Sequence, residues 1–273
     1  MKFTVEELKK QAKQSRQLIL EMLTEAASGH PGGSLSAIDI ITALYFNEMK
    51  VDPQNPTWVD RDRFVLSKGH GVPALYATLA YRGYFKPEAT MTLRQLGSPF
   101  QGHPDRVRMP AVEASTGSLG QGVSVAQGMA MAGRLDKKDY RVYCLMGDGE
   151  AQEGQVWEFF MSAGNYKLSN LCVFVDCNKY QIDGSTQEVM DIEPLADKLK
   201  AFKWNVIRID GHDFDQILNA LKQAREEKTK PTVIIADTIK GKGVSFMEKG
   251  NNWHGTAPSR EQLQQALKEL SQG

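Results

Sequence analysis

The chain has 273 residues, enough for one large domain or two small ones. Its 33 lysines and arginines balance 33 aspartates and glutamates, so no net charge draws it to nucleic acid or to an anionic membrane. The hydrophobic fraction of 41% and the charged fraction of 24% are ordinary for a globular protein. This composition excludes collagens, disordered chains and small disulfide-stapled scaffolds.

Three cysteines, Cys144, Cys172 and Cys177, cannot all pair with one another, and none lies in the C-x-x-C spacing of a zinc site. We expect reduced thiols in or near the core, as in a reducing cytoplasm. The first twenty residues carry charges throughout, which excludes a signal peptide. No apolar run reaches the roughly 18–20 residues of a membrane span. These features predict a cytoplasmic chain that does not enter the membrane.

Hydrophobic spacing predicts a first helix over residues 5–27 and a second over 36–47. The run 28–33, rich in glycine with one proline, lies between them and cannot continue a helix. Strands and helices then alternate. The predicted strands are 63–67, 141–146, 171–176, 205–209 and 232–236, and the predicted helices are 71–82, 120–135, 150–167, 213–227 and 259–271.

This alternation predicts an α/β fold in which a mainly parallel sheet is flanked by helices on both faces. The strand over 171–176 has no polar residue until its end, as expected of a strand buried on both faces. Without an internal repeat or a clear linker, residues 1–273 are interpreted as a single domain. Ligands of such sheets bind beyond the carboxyl ends of the strands.

Two strand ends carry side chains suited to a metal ion. The strand over 141–146 runs into Gly147-Asp148-Gly149, and the next strand is followed, thirty residues after the aspartate, by Asn178. A helix joins these strands, so both side chains are expected at one edge of the sheet. A carboxylate and an amide oxygen suit Mg²⁺, which shares phosphate oxygens, and the glycines allow close backbone approach to a phosphate.

Histidines form the second group of candidates. Four of the five lie in glycine-bearing motifs, and an imidazole near neutral pH can exchange protons and bind hydroxyl groups. The fifth, His212, precedes Asp213 and is interpreted as a residue at the start of a helix. The four motif histidines are His30, His70, His103 and His254.

The G-D-G turn followed by Asn178 resembles the thiamine-diphosphate motif. Further segments resemble transketolase motifs in the same order along the chain, so that the resemblance covers about residues 10 to 258. These segments are Ser28-Gly29-His30-Pro31-Gly32, Ser67-Lys68-Gly69-His70, Gly102-His103-Pro104, Thr116 to Gly122, and Trp253-His254-Gly255. The resemblance implies the thiamine-diphosphate-binding fold of the diphosphate-type domain.

Site residues follow from this resemblance position by position. It implies a Mg²⁺ ion, or Ca²⁺ or Mn²⁺ in its place, bound by Asp148, Asn178 and the backbone carbonyl of Tyr180. Thiamine diphosphate would contact a set that surrounds its diphosphate and both rings, namely His70, Gly117, Ser118, Leu119, Gly147, Asp148, Gly149, Asn178 and Ile182. Catalytic roles would fall to His30, His103, His254 and Glu153, with His103 holding the two-carbon fragment of the donor sugar.

Glu153 and Glu158 follow the G-D-G turn on the connecting helix. In transketolases, glutamates at these places lie at a subunit interface beside the catalytic glutamate of the neighbouring polypeptide. The resemblance assigns Glu153 to the catalytic group and places Glu158 at the same interface.

A transketolase is more than twice as long as this chain. The resemblance therefore implies the N-terminal subunit of a split transketolase, active with a C-terminal partner that carries the aminopyrimidine-binding domain and the sugar-phosphate arginines. The implied assembly is a two-plus-two heterotetramer, and the implied reaction transfers a two-carbon ketol unit from a ketose phosphate to an aldose phosphate in the pentose phosphate pathway. Neither nucleic acid nor a membrane is an expected partner.

Four other hypotheses stay open at this stage. The chain could be the alpha subunit of a 2-oxo acid dehydrogenase, a relative acting on an unusual ketose phosphate, or a non-catalytic diphosphate-binding module. A nucleotide-binding module is the fourth, but Lys240-Gly241-Lys242-Gly243 lacks the phosphate-loop spacing. We interpret that segment as a loop after the last strand, at the rim of the active site.

Overall fold

The computed structural model describes residues 2–248 and 250–272. Its centre is one sheet of five parallel strands in the order β1-β2-β3-β5-β4. The strands are β1 (Arg63–Leu66), β2 (Val142–Gly147), β3 (Leu171–Cys177), β4 (Asn205–Asp210) and β5 (Thr232–Asp237). All five lie where the sequence predicts them, and the predicted parallel arrangement is confirmed.

Helices cover both faces of the sheet, as predicted. Within the described residues they are α1 (Val5–Ala26), α2 (Pro31–Ala43), α3 (Val72–Arg82), α4 (Gln121–Leu135), α5 (Gly154–Asn165), α6 (Thr186–Met190), α7 (Leu195–Ala201), α8 (Phe214–Glu226) and α9 (Arg260–Gln272). One apolar core joins α1, α2, α3 and α8 to one face, and a second joins α4, α5 and α7 to the other. Alternate side chains of β2, such as Tyr143 and Cys144, enter opposite cores, so the strand is buried on both faces.

The strongest departure from prediction is the start of α2, which begins at Pro31 rather than at residue 36. Proline fits the first helical turn, where its missing N–H would have no partner, so the sequence 28–33 begins a helix instead of separating two. Gly32 is needed there because a Cβ would lie 2.9 Å from both Lys240 Cγ and the Trp253 carbonyl oxygen. The early start places His30 at the N-cap of α2.

Two further differences concern the regions after β2 and β3. The predicted helix over 150–167 is divided into a 3₁₀ turn, Gly149–Gln152, and α5, with Glu153 as the N-cap between them. The short helices α6 and α7 have no counterpart in the prediction, because each is too short to show a helical period. The predicted terminal helices 5–27 and 259–271 are observed within one residue of their predicted bounds.

The three cysteines are buried and unpaired, as expected. In the described part of the chain, none of the helices combines the length and apolar character that crossing a membrane requires.

Candidate active site

A cavity of about 320 Å³ lies at the carboxyl edge of the sheet. The loops that follow three of the strands contribute to its wall, as the strand-end rule predicts: Lys68 after β1, Asp148 after β2 and Asn178 after β3. Lys240, in the loop after β5, forms a fourth side. One end of the cavity therefore combines oxygen donors with ammonium groups.

Asp148 is 3% exposed, and both hydrogen-bond partners of its carboxylate are backbone N–H groups. Gly149 N–H donates to Oδ1 at 2.8 Å, and Lys179 N–H donates to Oδ2 at 2.6 Å. Lys179 adopts a left-handed conformation (φ 68°), which turns its amide toward the aspartate and brings Asn178 alongside. Burial, reinforced by the charge of Asp176, raises the pKa of Asp148 to about 6. A bound cation would offset the cost of keeping the buried Asp148 carboxylate ionised.

Asp176, the single acidic residue of β3, contacts the side chain of Asn178 and orients it. Its fully buried carboxylate accepts hydrogen bonds from Lys68 Nζ, Ser36 Oγ, Thr238 Oγ1 and, at 3.4 Å, Asn178 Nδ2. Burial raises the pKa of Asp176, but the Lys68 charge and these hydrogen bonds outweigh burial, so its pKa is lowered. The amide nitrogen of Asn178 is thus held toward Asp176. Its Oδ1 accepts a hydrogen bond from Tyr180 N–H at 3.2 Å, which leaves one lone pair for a metal ion. From the sequence, Lys68 was named only as part of a motif and Asp176 only as the end of a predicted strand, and neither was assigned a role.

The donor set fits a hard divalent ion that shares ligands with a bound phosphate. No cluster of three or more His, Cys, Asp or Glu side chains suited to a metal occurs among residues 2–248 and 250–272. Asp148, Asn178 and the Tyr180 carbonyl are all oxygen donors, and Mg²⁺ prefers oxygen ligands with few protein side chains. The Tyr180 carbonyl also accepts a hydrogen bond from Lys240 Nζ at 3.0 Å, which uses one of its two lone pairs.

Glu150 connects three of the motifs that the resemblance assigns to the cofactor. Its 2%-exposed carboxylate accepts hydrogen bonds from Gly147 N–H at 3.1 Å, Gly120 N–H at 2.9 Å and Ser67 Oγ. The N–H groups of both G-D-G glycines are therefore engaged within the chain, since Gly149 N–H donates to Asp148. Sequence reasoning missed Glu150, whose partners Ser67 and Gly120 come from distant parts of the chain.

Replacing Glu150 by alanine is expected to lower the free energy of unfolding by about 2–4 kcal/mol, because it leaves buried donors without an acceptor. Urea unfolding monitored by circular dichroism measures this loss. Glu153→Ala, an exposed glutamate in the same turn, is the control and is expected to cost less than about 0.5 kcal/mol. Equal losses for the two variants would contradict the connecting role of Glu150.

The loop predicted to contact the aminopyrimidine lies only partly in the cavity. Gly117 and Leu119 line it, whereas Ser118 lies outside the lining. Gly117 packs against His103, whose ring lies 3.3 Å from the position of a Cβ at 117. Ile182 also lines the cavity and is 68% exposed, which leaves an apolar surface beside the metal-binding end.

The four motif histidines come together around His30. The centroid of its ring lies 5.2 Å from that of His70, 5.6 Å from His254 and 6.2 Å from His103. His212 lies elsewhere, just before the N-cap residue Asp213 of α8, as predicted. The structure adds that its ring contacts Asp39 and the backbone of Ile239.

These four histidines are neutral at pH 7. Burial, followed by the charge of Arg94, lowers the pKa of His30 to about 4, and burial with Lys240 lowers the pKa of His254 to about 3. Burial likewise lowers the pKa of His70 and of His103. Neutral imidazoles can both donate and accept hydrogen bonds, which suits recognition of sugar hydroxyl groups. Arg94, which sequence reasoning missed, lies against Gly102 in the His103 motif.

The lowered pKa values predict that stability decreases as the pH falls from about 6.5 toward 4. In that range the unfolded chain binds protons on His30 and His254 while the folded chain does not. Because the raised pKa of Asp148 opposes this effect in both proteins, the comparison between them isolates the histidine. Between pH 7 and pH 5 the thermal midpoint of His254→Asn is therefore expected to fall less than that of the wild type. Between pH 7 and pH 8.5 the thermal midpoints of the two proteins should change with pH to the same extent. Differential scanning fluorimetry measures the thermal midpoints of both proteins across the two pH ranges. The same dependence on pH between pH 7 and pH 5 in both proteins would contradict the prediction.

Lys240 enters the cavity rather than remaining at its rim. It is 3% exposed, and its ammonium group contacts two uncharged partners, the Tyr180 carbonyl at 3.0 Å and His254 Nδ1 at 2.8 Å. Burial and the nearby Lys68 charge lower its pKa to about 8. A desolvated ammonium with neutral partners suits an anionic ligand.

Two buried polar atoms in the cavity wall, His30 Nδ1 and Gln181 Oε1, have no hydrogen-bond partner among the described residues. Buried polar groups are rarely left unpaired, so the cavity is suited to a polar ligand. Glu153 also lines it, while Glu158 lies further along α5, outside the lining.

A family model described as "Transketolase, thiamine diphosphate binding domain" matches residues 8–272. The chain belongs to the transketolase family. This confirms the predicted resemblance and the fold that it implies. The match includes every residue assigned to the site from the sequence.

Two bacterial relatives match over nearly their whole length. The chain is 48% identical to a 6-deoxy-6-sulfo-D-fructose transketolase subunit from Clostridium sp. (strain MSTE9), covering 97% of this chain and 96% of that protein. It is 44% identical to an apulose-4-phosphate transketolase subunit from Phocaeicola vulgatus, covering 98% and 95% respectively.

Solved transketolases share the fold over part of their length. The transketolase from Campylobacter jejuni superposes with a TM-score of 0.92 at 35% identity, covering 98% of this chain and 43% of that one. The enzyme from Leishmania mexicana gives a TM-score of 0.92 at 33% identity, with 99% and 42% coverage. The chain thus spans less than half the length of these transketolases.

Proposed function

We propose that this chain is the N-terminal, diphosphate-binding subunit of a split transketolase. With a C-terminal partner subunit, it transfers a two-carbon ketol unit from a ketose phosphate to an aldose phosphate. The observation that carries the proposal is the single cavity that combines oxygen donors, a desolvated lysine and four neutral histidines. The near-complete match to two relatives named as transketolase subunits supports the split arrangement.

Asp148, Asn178 and the Tyr180 carbonyl would hold Mg²⁺, or Ca²⁺ or Mn²⁺ in its place. His70, Gly147, Gly149 and Lys240 would surround the diphosphate, with Gly117, Ser118, Leu119 and Ile182 toward the two rings. Thiamine diphosphate supplies the carbon nucleophile and the electron sink that breaking a carbon–carbon bond requires. The protein residues bind and orient both the cofactor and the sugar.

The histidines act on the sugar. As the resemblance implies, His103 would hold the two-carbon fragment by a hydrogen bond; its ring lies 6.2 Å from the His30 ring. His30 and His254 would hold or move protons at hydroxyl and carbonyl oxygens. Their neutral state at pH 7 leaves each ring a nitrogen that can accept a hydrogen bond from a hydroxyl group.

The partner would cover the open side of the cavity. Ile182 and Glu153 both line the cavity and are exposed, so a second polypeptide can reach them there. A two-plus-two heterotetramer follows the twofold symmetry common in oligomeric enzymes. The buried, unpaired thiols fit a cytoplasmic location, where thiols stay reduced.

The two subunit relatives are named for different sugars, 6-deoxy-6-sulfo-D-fructose and apulose-4-phosphate. Both names describe sugars with an anionic group. We therefore propose anionic ketoses as the donor class and leave the pentose phosphate pathway as one case within it.

The proposal is tested by isolating the tagged chain from its native cells with thiamine diphosphate and Mg²⁺ present. A stoichiometric partner and two-carbon transfer from a ketose phosphate to an aldose phosphate are expected. Decarboxylation of a 2-oxo acid by the isolated complex would instead support the dehydrogenase alternative. A complex that binds cofactor but transforms neither a 2-oxo acid nor a phosphorylated or sulfonated ketose would support a non-catalytic module.

A further inference from the structure

The loop that carries Lys240 is fixed on both sides of the lysine. Before it, Ile239 N–H donates to His212 Nε2 at 2.9 Å, and after it, the Lys242 carbonyl accepts from Arg16 Nε at 3.1 Å. Gly241 N–H donates to the Gly32 carbonyl at 3.0 Å. Three peptide groups around Lys240 are therefore held by side chains or backbone from distant parts of the chain.

The two side chains that hold this loop are joined by one carboxylate. Arg16 on α1 forms a bidentate ion pair with Asp39 on α2, at 2.9 Å to Oδ1 and 2.6 Å to Oδ2. His212, in the turn before α8, contacts Asp39 Oδ2 through Nδ1 at 2.7 Å. Asp39 is 3% exposed, and Arg16 is 8% exposed. None of the three lines the cavity.

The hydrogen bonds among Arg16, Asp39 and His212 define the donor or acceptor role of each side chain. Because His212 Nε2 accepts from Ile239 N–H, its ring proton is assigned to Nδ1, which donates to Asp39. Burial alone would raise the pKa of Asp39, but the Arg16 charge and His212 lower it, so the carboxylate stays ionised. A bidentate arginine–carboxylate pair is rigid, which fixes the positions of both Arg16 Nε and the His212 ring.

We propose that Arg16, Asp39 and His212 are positioning residues that hold the 239–242 loop so that the Lys240 ammonium enters the active-site cavity. The effect on cofactor affinity rests on the function proposed above, whereas the effect on the loop does not. The three residues come from α1, α2 and the β4–α8 turn, so their hydrogen bonds connect the loop to three elements of one core.

The effect on the loop is measured by hydrogen–deuterium exchange of the full chain. His212→Phe and Asp39→Asn each remove a hydrogen bond on the path to Ile239, and exchange in segment 238–244 is expected to be about tenfold faster. His212→Gln keeps an amide that can accept from Ile239 and is expected to recover most of the protection. Unchanged exchange in both His212→Phe and Asp39→Asn would overturn the proposal.

A matched control lies at the opposite edge of the sheet. Glu48 is a buried carboxylate that, like Asp39, pairs with an arginine and a ring, Arg225 and the Tyr143 hydroxyl. Glu48→Gln should destabilise the chain comparably without changing exchange in segment 238–244. Faster exchange of that segment in Glu48→Gln, to the same degree, would attribute the effect to general destabilisation and overturn the proposal.

A double-mutant cycle tests whether the three positioning residues act through Lys240. It is carried out in the complex of this chain with its partner subunit, with the KM for thiamine diphosphate as the readout. His212→Phe is expected to raise that KM about tenfold in the wild-type background and less than about twofold in the Lys240→Met background. Equal effects in both backgrounds would overturn action through Lys240. A wild-type complex without affinity for thiamine diphosphate would overturn the proposed function instead, while the exchange experiment would still decide the positioning role.

Discussion

Replacing Asp148 by asparagine is expected to weaken Mg²⁺-dependent binding of thiamine diphosphate by more than about 100-fold. Loss of an outer-shell partner of a metal ligand costs about 10–100-fold, and the loss of a charged ligand itself exceeds that range. The change removes the only carboxylate among the proposed ligands and keeps the size of the side chain. Isothermal titration with the cofactor, in the presence and absence of Mg²⁺, measures the effect.

The same substitution should leave the fold intact. Asp148 is buried with a raised pKa and has only backbone N–H partners, so its charge contributes no stabilising ion pair in the metal-free chain. Asp237→Asn is the control, since Asp237 ends strand β5 and pairs with Arg208 outside the cavity. Unchanged cofactor affinity in Asp148→Asn, with Asp237→Asn equally unchanged, would refute the metal assignment.

Lys240→Met is expected to weaken thiamine diphosphate binding by about 10–100-fold, with Mg²⁺ still required. Hydrogen bonds to charged groups contribute about 1.5–3 kcal/mol, and this ammonium is desolvated with only neutral partners. Methionine keeps most of the length of the side chain, so packing changes little. The cofactor KM of the complex measures the effect.

Lys242→Met provides the comparison, because Lys242 lies in the same loop, two residues further on, outside the cavity lining. Its carbonyl, not its ammonium, is the group that Arg16 contacts. Lys242→Met should leave the cofactor KM within about twofold of the wild type. Equal losses in the two variants would show that general positive charge near the site, rather than Lys240, determines the affinity.

The sheet was predictable because its strands are short apolar runs between helices of clear period. The strand over 171–176 has no polar residue before Asp176, and it became the buried central strand β3. The predicted start of α2 was wrong because glycine and proline were weighed by local preference alone. At Pro31 and Gly32, the N-terminal position of the proline and close packing against Lys240 reverse that preference.

The candidate site was predictable where its chemistry lies within short motifs. Asp148, Asn178 and the four motif histidines were named from the sequence, and the structure places all of them in one cavity. The roles of the residues that support the site could not be predicted, because these roles depend on partners far along the chain. Glu150 joins Ser67 to Gly120, and Asp176 joins Lys68 to Asn178, through contacts that no local pattern indicates.

The most direct test of the central claim compares two-carbon transfer by this chain alone and after mixing with its C-terminal partner subunit. Thiamine diphosphate and Mg²⁺ are present in both assays, with a ketose phosphate donor and an aldose phosphate acceptor. The account predicts no transfer above background by the chain alone and robust transfer by the mixture. Robust transfer by the purified chain alone, or none by the stoichiometric complex with either a phosphorylated or a sulfonated ketose, would contradict it.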